Sequence, residues 1–333
     1  MNIRNTRELK SFAAQRLSHA SNTRQILLLY AAVTLGLSAL VTVISYVLGL
    51  QIDQMSGLSN FSNRTILSTL QTMLPTAASL ITICIDLGLI AAMLRTARGQ
   101  YTSAQTLRLG FDRFWLLMRC TIFKNLIYFA MITGCVYLGI MIYLVTPLSG
   151  AATEMLMPVL SETSILNPSY VLDDATYAQL LAAMWPAFLI CGILLCVVLV
   201  PLMYSYRMVN YVVIDKPAIG ALAALRESKM MMRGNRLSLL KMDLGLWWYH
   251  LAVIISTYVI CYGDILLPMV GVELPWHEDV SYFLFFALYL AAMFAIYYFL
   301  RARAEVTYAL AYDAVKPEEK QDNGVVLGNI FQM

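Results

Sequence analysis

Charged side chains are scarce in this sequence. Aspartate, glutamate, lysine and arginine make up 13% of its 333 residues, whereas apolar types make up 60%. An average soluble domain has about 25% charged and about 45–50% apolar residues. The chain has too few polar residues to cover the surface of an ordinary water-soluble enzyme. Its apolar content also excludes a disordered chain. What remains is a helical membrane protein.

Histidine and cysteine are also few, and neither occurs in a catalytic or metal-binding pattern. The three histidines form no HExxH motif, and the six cysteines form no CxxC pair. Walker loops, the GxSxG motif and the dinucleotide fingerprint are missing as well. We therefore predict a protein that is not an enzyme and has no cofactor.

One short segment has residue types that bind metal ions. It contains Glu273, His277, Glu278 and Asp279, but Pro275 interrupts the spacing between Glu273 and His277. Ligand number and spacing both fall short of a known metal site. We predict no metal site.

Six stretches are long and apolar enough to cross a bilayer. A spanning helix needs about 20 mainly apolar residues, because each residue rises about 1.5 Å through a core about 30 Å thick. The stretches are residues 25–52, 65–94, 125–153, 175–206, 244–263 and 280–300. The sequence thus predicts an all-α, polytopic membrane protein with six transmembrane helices.

The basic residues give this layout an orientation. Of the 23 lysines and arginines, all except Arg64 lie in segments on one side of the six spans. The positive-inside rule makes that side cytoplasmic. Both termini are then cytoplasmic, and the basic loops need no nucleic acid to explain their charge.

Each odd-numbered span is preceded by a cytoplasmic stretch with an amphipathic helical pattern. The apolar stripes are Leu9, Phe12, Ala13, Leu17 and Ala20; Leu107, Phe111, Phe114, Trp115 and Met118; and Ala221, Ala224, Leu225, Ser228, Met231 and Met232. We predict three units of one interfacial helix and two spans within residues 1–312, followed by a polar cytoplasmic tail at 313–333. A stripe of this kind either enters the headgroup region of an anionic leaflet or packs against the spans.

The third amphipathic stretch has the clearest boundaries and the most positive charge. Asp215 is predicted as its N-cap ahead of Pro217, and Gly234 with Asn235 is predicted to end it. The residues predicted to contact lipid or a partner are Arg226, Lys229, Arg233, Asn235 and Arg236.

Polar groups inside the spans are the second set of candidates. Asp86 lies nine residues before Arg95, roughly 13 Å from that boundary at about 1.5 Å per residue. An ionised aspartate at this depth needs a partner, water or a proton, and no companion charge is evident at that depth in the sequence. Asp86 is a candidate cation, proton or solute site, or an acceptor of structural hydrogen bonds. Pro201 is predicted to open the fourth helix near Tyr204, Ser205 and Tyr206.

Several segments share the pattern of one known family. The matching residues are Pro201, Tyr204–Tyr206, Tyr211, Asp215–Pro217, Glu227–Ser228, Met232–Arg236 and Leu240–Trp248, together with Arg7, Leu9, Lys10, Ala13 and Leu17 near the N-terminus. In these positions the chain resembles the bacterial integral-membrane family called domain of unknown function 975. The resemblance implies a multi-pass protein of a bacterial inner membrane, and it implies no activity, substrate or catalytic residue.

Two functions follow from these patterns. The first is a membrane-embedded binding or scaffold protein whose basic cytoplasmic loops engage anionic membrane lipids or a membrane protein partner. The alternative is a transporter of a small polar or lipid-like solute that uses Asp86 and the 201–206 region.

Overall fold

A computed structural model describes residues 6–20, 22–55, 61–150, 154, 174–269, 271 and 278–316 of the chain. All regular secondary structure in these residues is helical. Five helices are long and apolar enough to cross a membrane, and a sixth span results if one bent pair of helices is counted as one. The predicted all-α, polytopic architecture is confirmed.

Helical segments cover most of each predicted span. They are α1 (Thr6–His19), α2 (Thr23–Gln54), α3 (Phe61–Ala97), α4 (Leu109–Asp112), α5 (Phe114–Val145), α6 (Asp174–Ser205), α7 (Val209–Asp215), α8 (Ala221–Met231), α9 (Arg236–Gly245), α10 (Trp247–Ile254), α11 (Gly263–Met269), α12 (Glu278–Ala295) and α13 (Ala302–Val315). Two π-helical segments, Ile255–Ile260 and Ile296–Arg301, continue α10 and join α12 to α13.

Two of the predicted spans differ from their expected form. The fifth is bent by 67° between α9 and the α10 segment. The sixth does not end near Leu300, because the helix continues to Val315 and buries residues such as Ala309 and Tyr312. The residues just after the last apolar stretch therefore form part of the protein core.

The chain is divided into two compact units that are each discontinuous in sequence. The first comprises residues 1–114, 210–217 and 231–333, and the second comprises residues 115–209 and 218–230. The first unit contains α2, α3, α12 and α13, and its fully buried side chains include Leu9, Leu87, Met93 and Tyr312. The second unit contains α6 and almost all of α5 and α8.

Residues of the first and third amphipathic stripes are buried in the protein, as the packing alternative predicts. Leu9 and Ala13 of α1 are completely buried. In the third stretch every residue of the apolar stripe is buried, and the Ser228 hydroxyl donates to the Ser205 carbonyl at 2.9 Å. For these side chains the packing interpretation holds.

The second amphipathic stretch does not form a separate interfacial helix. Residues 104–108 form a 3₁₀ turn, α4 is only four residues long, and the long helix α5 already begins at Phe114. A Cβ added at Gly110 would lie 1.8 Å from the Cys84 carbonyl oxygen, so α4 runs directly against the backbone of α3. This close approach fixes the segment to the first unit and explains why it does not extend as one amphipathic helix.

Candidate functional site

Asp86 has a charged partner that the sequence did not reveal. Arg301 Nη2 lies 2.9 Å from Asp86 Oδ1. We predicted no companion charge at this depth because Arg301 follows the last apolar stretch and was assigned to the cytoplasmic segment. That prediction was wrong, because the helix continues through Arg301 and directs its guanidinium to α3.

Aromatic and acidic groups complete this cluster. The Tyr30 hydroxyl donates to Asp86 Oδ1 at 2.5 Å and accepts a hydrogen bond from Arg301 Nη1. The guanidinium carbon of Arg301 lies 4.5 Å from the ring centre of Tyr30 and 5.0 Å from that of Tyr297. Glu305 lies one turn further, with Oε1 at 3.7 Å from Arg301 Nε. The cluster therefore joins α2, α3 and the π-helical turn before α13.

The two members of the ion pair differ in how many of their polar atoms have partners. A buried ion pair is tolerated when hydrogen bonds satisfy its remaining groups, and aromatic faces add cation–π attraction. Asp86 Oδ2 has no hydrogen bond to any described residue, and the Asp86 side chain is 36% exposed. Both Nη atoms of the arginine thus make hydrogen bonds, although its buried Nε makes none with a described residue. The carboxylate keeps one oxygen for water or a ligand.

A polar cavity of about 710 Å³ lies beside this cluster, between α2, α3 and the start of α12. Its hydroxyl and amide groups come from Thr34, Ser38, Thr42, Ser45, Tyr46, Gln71, Ser79 and Thr82. Thr34 follows Tyr30 by one helical turn, and Thr82 precedes Asp86 by one turn, so the end of the cavity adjoins the ion pair. Two carboxylates, Asp53 and Asp279, line the cavity as well.

The predicted break after Pro201 occurs a few residues later than the proline itself. Helix α6 ends at Ser205, and residues 206–208 separate it from α7. The Ser205 hydroxyl donates to the Pro201 carbonyl at 2.7 Å, and the Tyr206 ring lies 6.2 Å from that of Tyr128. Tyr204 is half-buried. These residues belong to the second unit, whereas Asp86 belongs to the first.

The basic residues of the third amphipathic stretch remain outside the core. Arg226, Lys229 and Arg233 are exposed, and Arg236 is half-buried. None of these four makes an ion pair with a described residue. The Nε atom of Arg236 is buried without a hydrogen-bond partner.

The predicted end of this helix is confirmed. Helix α8 ends at Met231, and Gly234 has a φ of +88°, which is typical of a residue after a helix C-terminus. The Asn235 side-chain amide donates to the Met231 carbonyl at 3.0 Å. Asn235 therefore satisfies the helix end, and this contact occupies its amide nitrogen.

Asp215 has a role that we did not predict. It is the last residue of α7 and lies six residues before α8, so it is not the N-cap of α8. Instead, Asp215 forms a two-point ion pair with Arg98, at 2.7 and 3.0 Å, and accepts hydrogen bonds from Tyr312 and Lys316. Arg98 also pairs with Asp313 at 2.6 Å. Residue 313, which we assigned to the start of the polar tail, thus contributes to a folded cluster.

This cluster keeps its arginine charged. Hydrogen bonds to Asp215 and then to Asp313 raise the pKa of the Arg98 guanidinium above its ordinary value. One sequence signal for the cluster was available, because Asp215 belongs to the Asp-Lys-Pro segment that carried the family resemblance. The partners of Asp215 lie about 100 residues away on either side, beyond the reach of local patterns.

In the comparisons with known proteins, residues 1–316 match the family model described as Protein of unknown function (DUF975). No curated protein and no solved structure matches the chain. The match includes every residue that the structure describes and confirms the resemblance indicated by the segments around Tyr204 and Asp215.

Proposed function

This chain belongs to the DUF975 family of proteins of unknown function, and from that premise we propose that it is a non-enzymatic membrane protein that binds anionic lipid. The contact surface is the exposed side of α8, which we call the basic face and define as Leu222, Arg226, Lys229 and Met230. Arg233 and Arg236 extend its charge along the following turn.

The single observation that carries this proposal is the composition of the basic face. The apolar stripe of α8 is buried, yet the opposite side still exposes large apolar residues, with Leu222 at 52% and Met230 at 68%. They alternate with Arg226 and Lys229 at helical spacing. Apolar side chains among basic ones are typical of helices that lie at a lipid headgroup layer.

The absence of internal partners strengthens the electrostatic part of the proposal. Because the four basic residues form no ion pair with a described residue, their charge is available to an external anion. Each lysine or arginine near an anionic leaflet contributes about 1 kcal/mol of attraction, and salt screens it.

The membrane and the orientation are part of the same proposal. We place the chain in the inner membrane of a bacterium, with both termini and the basic face on the cytoplasmic side. The distribution of lysine and arginine supports this orientation, and the anionic phospholipids of that leaflet supply the ligand.

The test replaces Arg226, Lys229, Arg233 and Arg236 together by glutamine. The full chain is purified in mixed micelles of neutral detergent with phosphatidylglycerol and phosphatidylcholine, and retained lipids are counted by native mass spectrometry. We expect retention of phosphatidylglycerol to fall at least tenfold, because four contacts of about 1 kcal/mol each, even when weakened by salt, exceed the roughly 1.4 kcal/mol that corresponds to tenfold. Retention of phosphatidylcholine should not change.

A matched variant distinguishes an effect of the basic face from an effect of total positive charge. Replacing Arg7, Arg24, Arg108 and Lys241 by glutamine removes the same charge from exposed positions elsewhere, and it should lower retention much less. Equal losses in the two variants, or no loss in the first, would contradict the proposal. A membrane protein that copurifies through the basic face instead of lipid would identify a protein partner as the true ligand.

A second candidate function is favoured by the cavity beside Asp86. A space of about 710 Å³ lined by hydroxyl groups and two carboxylates suits a small hydroxylated cation. On this alternative the chain transports such a solute, and Asp86 lies at the end of its path. The sequence also assigned the 201–206 region to this hypothesis, and those residues lie in the second unit.

Filling the cavity tests this alternative. Ser38→Leu with Ser79→Leu places two larger side chains into the lining, whereas Ser68→Leu changes α3 outside it. Uptake of labelled ethanolamine into proteoliposomes should fall in the double variant and persist in the control. Equal uptake in all three proteins, or none in the unmodified chain, removes support for transport of this solute class.

A further inference from the structure

A second polar cavity opens at the junction of α1, α2 and the end of α3. Its volume is about 380 Å³, and its polar lining consists mainly of Arg16, His19, Asn22, Thr96, Gln100 and Thr102. All of these residues lie in the first unit. Among the described residues that line it there is no aspartate or glutamate. That part of the lining therefore presents hydrogen-bond donors and positive charge without a competing carboxylate.

Arg16 is the charged group of this cavity, and no residue that the structure describes gives it a polar partner. Its Nε atom is buried and makes no hydrogen bond. Its guanidinium carbon lies 4.8 Å from the centre of the Phe12 ring. An unpaired guanidinium that is partly removed from water is unfavourable unless an anion or water satisfies it.

The end of α3, beside Arg16, makes its own backbone hydrogen bonds. The backbone N–H groups of Arg98, Gly99 and Gln100 already bind the carbonyls of Leu94, Thr96 and Arg95, respectively. These bonds satisfy the last turn of the helix internally. Because Arg16 makes no hydrogen bond with a described residue, its donors are available to a ligand in the cavity.

Gly99 makes the position of Arg16 possible. Its φ of +72° lies in the left-handed region that favours glycine, and an added Cβ would lie 2.6 Å from Arg16 Nη1. The cavity also adjoins the N-terminal end of the 32-residue helix α2. The positive end of that helix dipole adds to the attraction for an anion.

We propose that this cavity, which we call the Arg16 pocket, binds a phosphate group. Phosphate matches the lining because its oxygens accept several hydrogen bonds and pair with a guanidinium in a two-point geometry. The phosphate belongs either to an anionic lipid headgroup or to a free phosphate compound. The pocket shares no residue with the basic face of α8, so it is a separate site.

The test measures binding of two phosphate probes to the full chain in neutral detergent. Inorganic phosphate is titrated by calorimetry, and phosphatidic acid is added in mixed micelles with phosphatidylcholine and counted by native mass spectrometry. Arg16→Gln should lower affinity about tenfold or more, because a charge-assisted hydrogen bond is lost. Arg7→Gln, on the same helix but exposed and outside the pocket, should bind as the unmodified chain does.

A second variant keeps the test valid if Arg16→Gln folds poorly. Gln100 is exposed in the turn after α3 and lines the pocket, so Gln100→Leu should weaken binding with little effect on folding. Binding of both probes assigns the site to the phosphate group itself, and binding of phosphatidic acid alone assigns it to a lipid headgroup. Unchanged affinity in both variants, or no binding of either probe to the unmodified chain, overturns the proposal.

The proposals for the basic face and for the Arg16 pocket can be tested independently of each other. The four-glutamine variant of the α8 region leaves the Arg16 pocket intact, so it should bind inorganic phosphate with unchanged affinity. Loss of phosphate binding in that variant would show that the basic residues around α8, and not Arg16, bind the anion.

Discussion

Arg301 and Asp86 form an ion pair of 2.9 Å across 215 residues of sequence. Their surroundings are unequal, because the Arg301 side chain is 11% exposed and that of Asp86 is 36% exposed. Loss of the aspartate leaves a buried cation without a counter-charge. Loss of the arginine leaves a carboxylate that water or a proton can still satisfy.

We therefore expect Asp86→Asn to be more destabilising than Arg301→Gln. Removing one partner of a buried ion pair costs about 3–5 kcal/mol, and Asp86→Asn should lie in this range. Arg301→Gln should cost less because the remaining carboxylate reaches solvent. Both values are measured by thermal and denaturant unfolding in detergent micelles, followed by circular dichroism.

The double variant shows whether the two residues act as a pair. Asp86→Asn combined with Arg301→Gln removes both charges and should be more stable than Asp86→Asn alone. If the effects of the two single variants simply add, Arg301 is not the group that compensates Asp86.

Arg98 links three parts of the first unit through Asp215 and Asp313. Arg98→Gln should lower the free energy of unfolding by about 2 kcal/mol, because two half-buried carboxylates lose a shared guanidinium. Arg108→Gln is the matched control, since Arg108 is exposed and makes no ion pair with a described residue. Equal unfolding free energies of the two variants would remove the structural role of the cluster.

The raised pKa of Arg98 also predicts how this contribution varies with pH. A basic group whose pKa is raised on folding contributes its full stability below the unfolded-state pKa and loses it only as the pH rises through the folded-state value. For arginine that loss lies above about pH 12. The difference in stability between the unmodified chain and Arg98→Gln should thus remain constant between about pH 6 and about pH 9.

The sequence was sufficient for the spans because the bilayer imposes a simple requirement. Apolar length is a property of local segments, and the structure has the corresponding helices. The end of α8 was also predictable, since Gly234 and Asn235 act on the turn beside them. In these cases the physical cause lies within a few residues of its effect.

The partners of Asp86 and Asp215 were not predictable for the opposite reason. Arg301 borders an apolar stretch, and a charge in this position looks like an ordinary end of a span. Arg301 points into the protein because the helix continues to Val315, and the small and aromatic residues of that continuation pack into the core. Contacts between distant helices leave no periodic signal in a single sequence.

The contact between α4 and α3 gives a prediction about packing. Gly110→Ala places a Cβ 1.8 Å from the Cys84 carbonyl oxygen, and moving the two backbones apart should cost about 1–3 kcal/mol of stability or more. Gly36→Ala is the control, because nothing lies within 4 Å of its added Cβ in the middle of α2. That variant should be neutral or more stable by up to about 1 kcal/mol. Equal melting temperatures for the two variants would contradict the close approach.

The final prediction concerns the direction in which the chain crosses the membrane. Single cysteines in a cysteine-free background at Asn60, Ser164 and Val272 should react with a membrane-impermeant maleimide in intact cells, because these loops hold only one basic residue, Arg64. These three positions lie outside the described residues, so the sequence alone places them. A cysteine at Asn323 in the C-terminal segment should react only after the cells are permeabilised. If Asn60, Ser164 and Val272 instead needed permeabilisation, the basic face and the Arg16 pocket would face away from the cytoplasmic leaflet. The proposed lipid ligand would then have to be sought in the opposite leaflet.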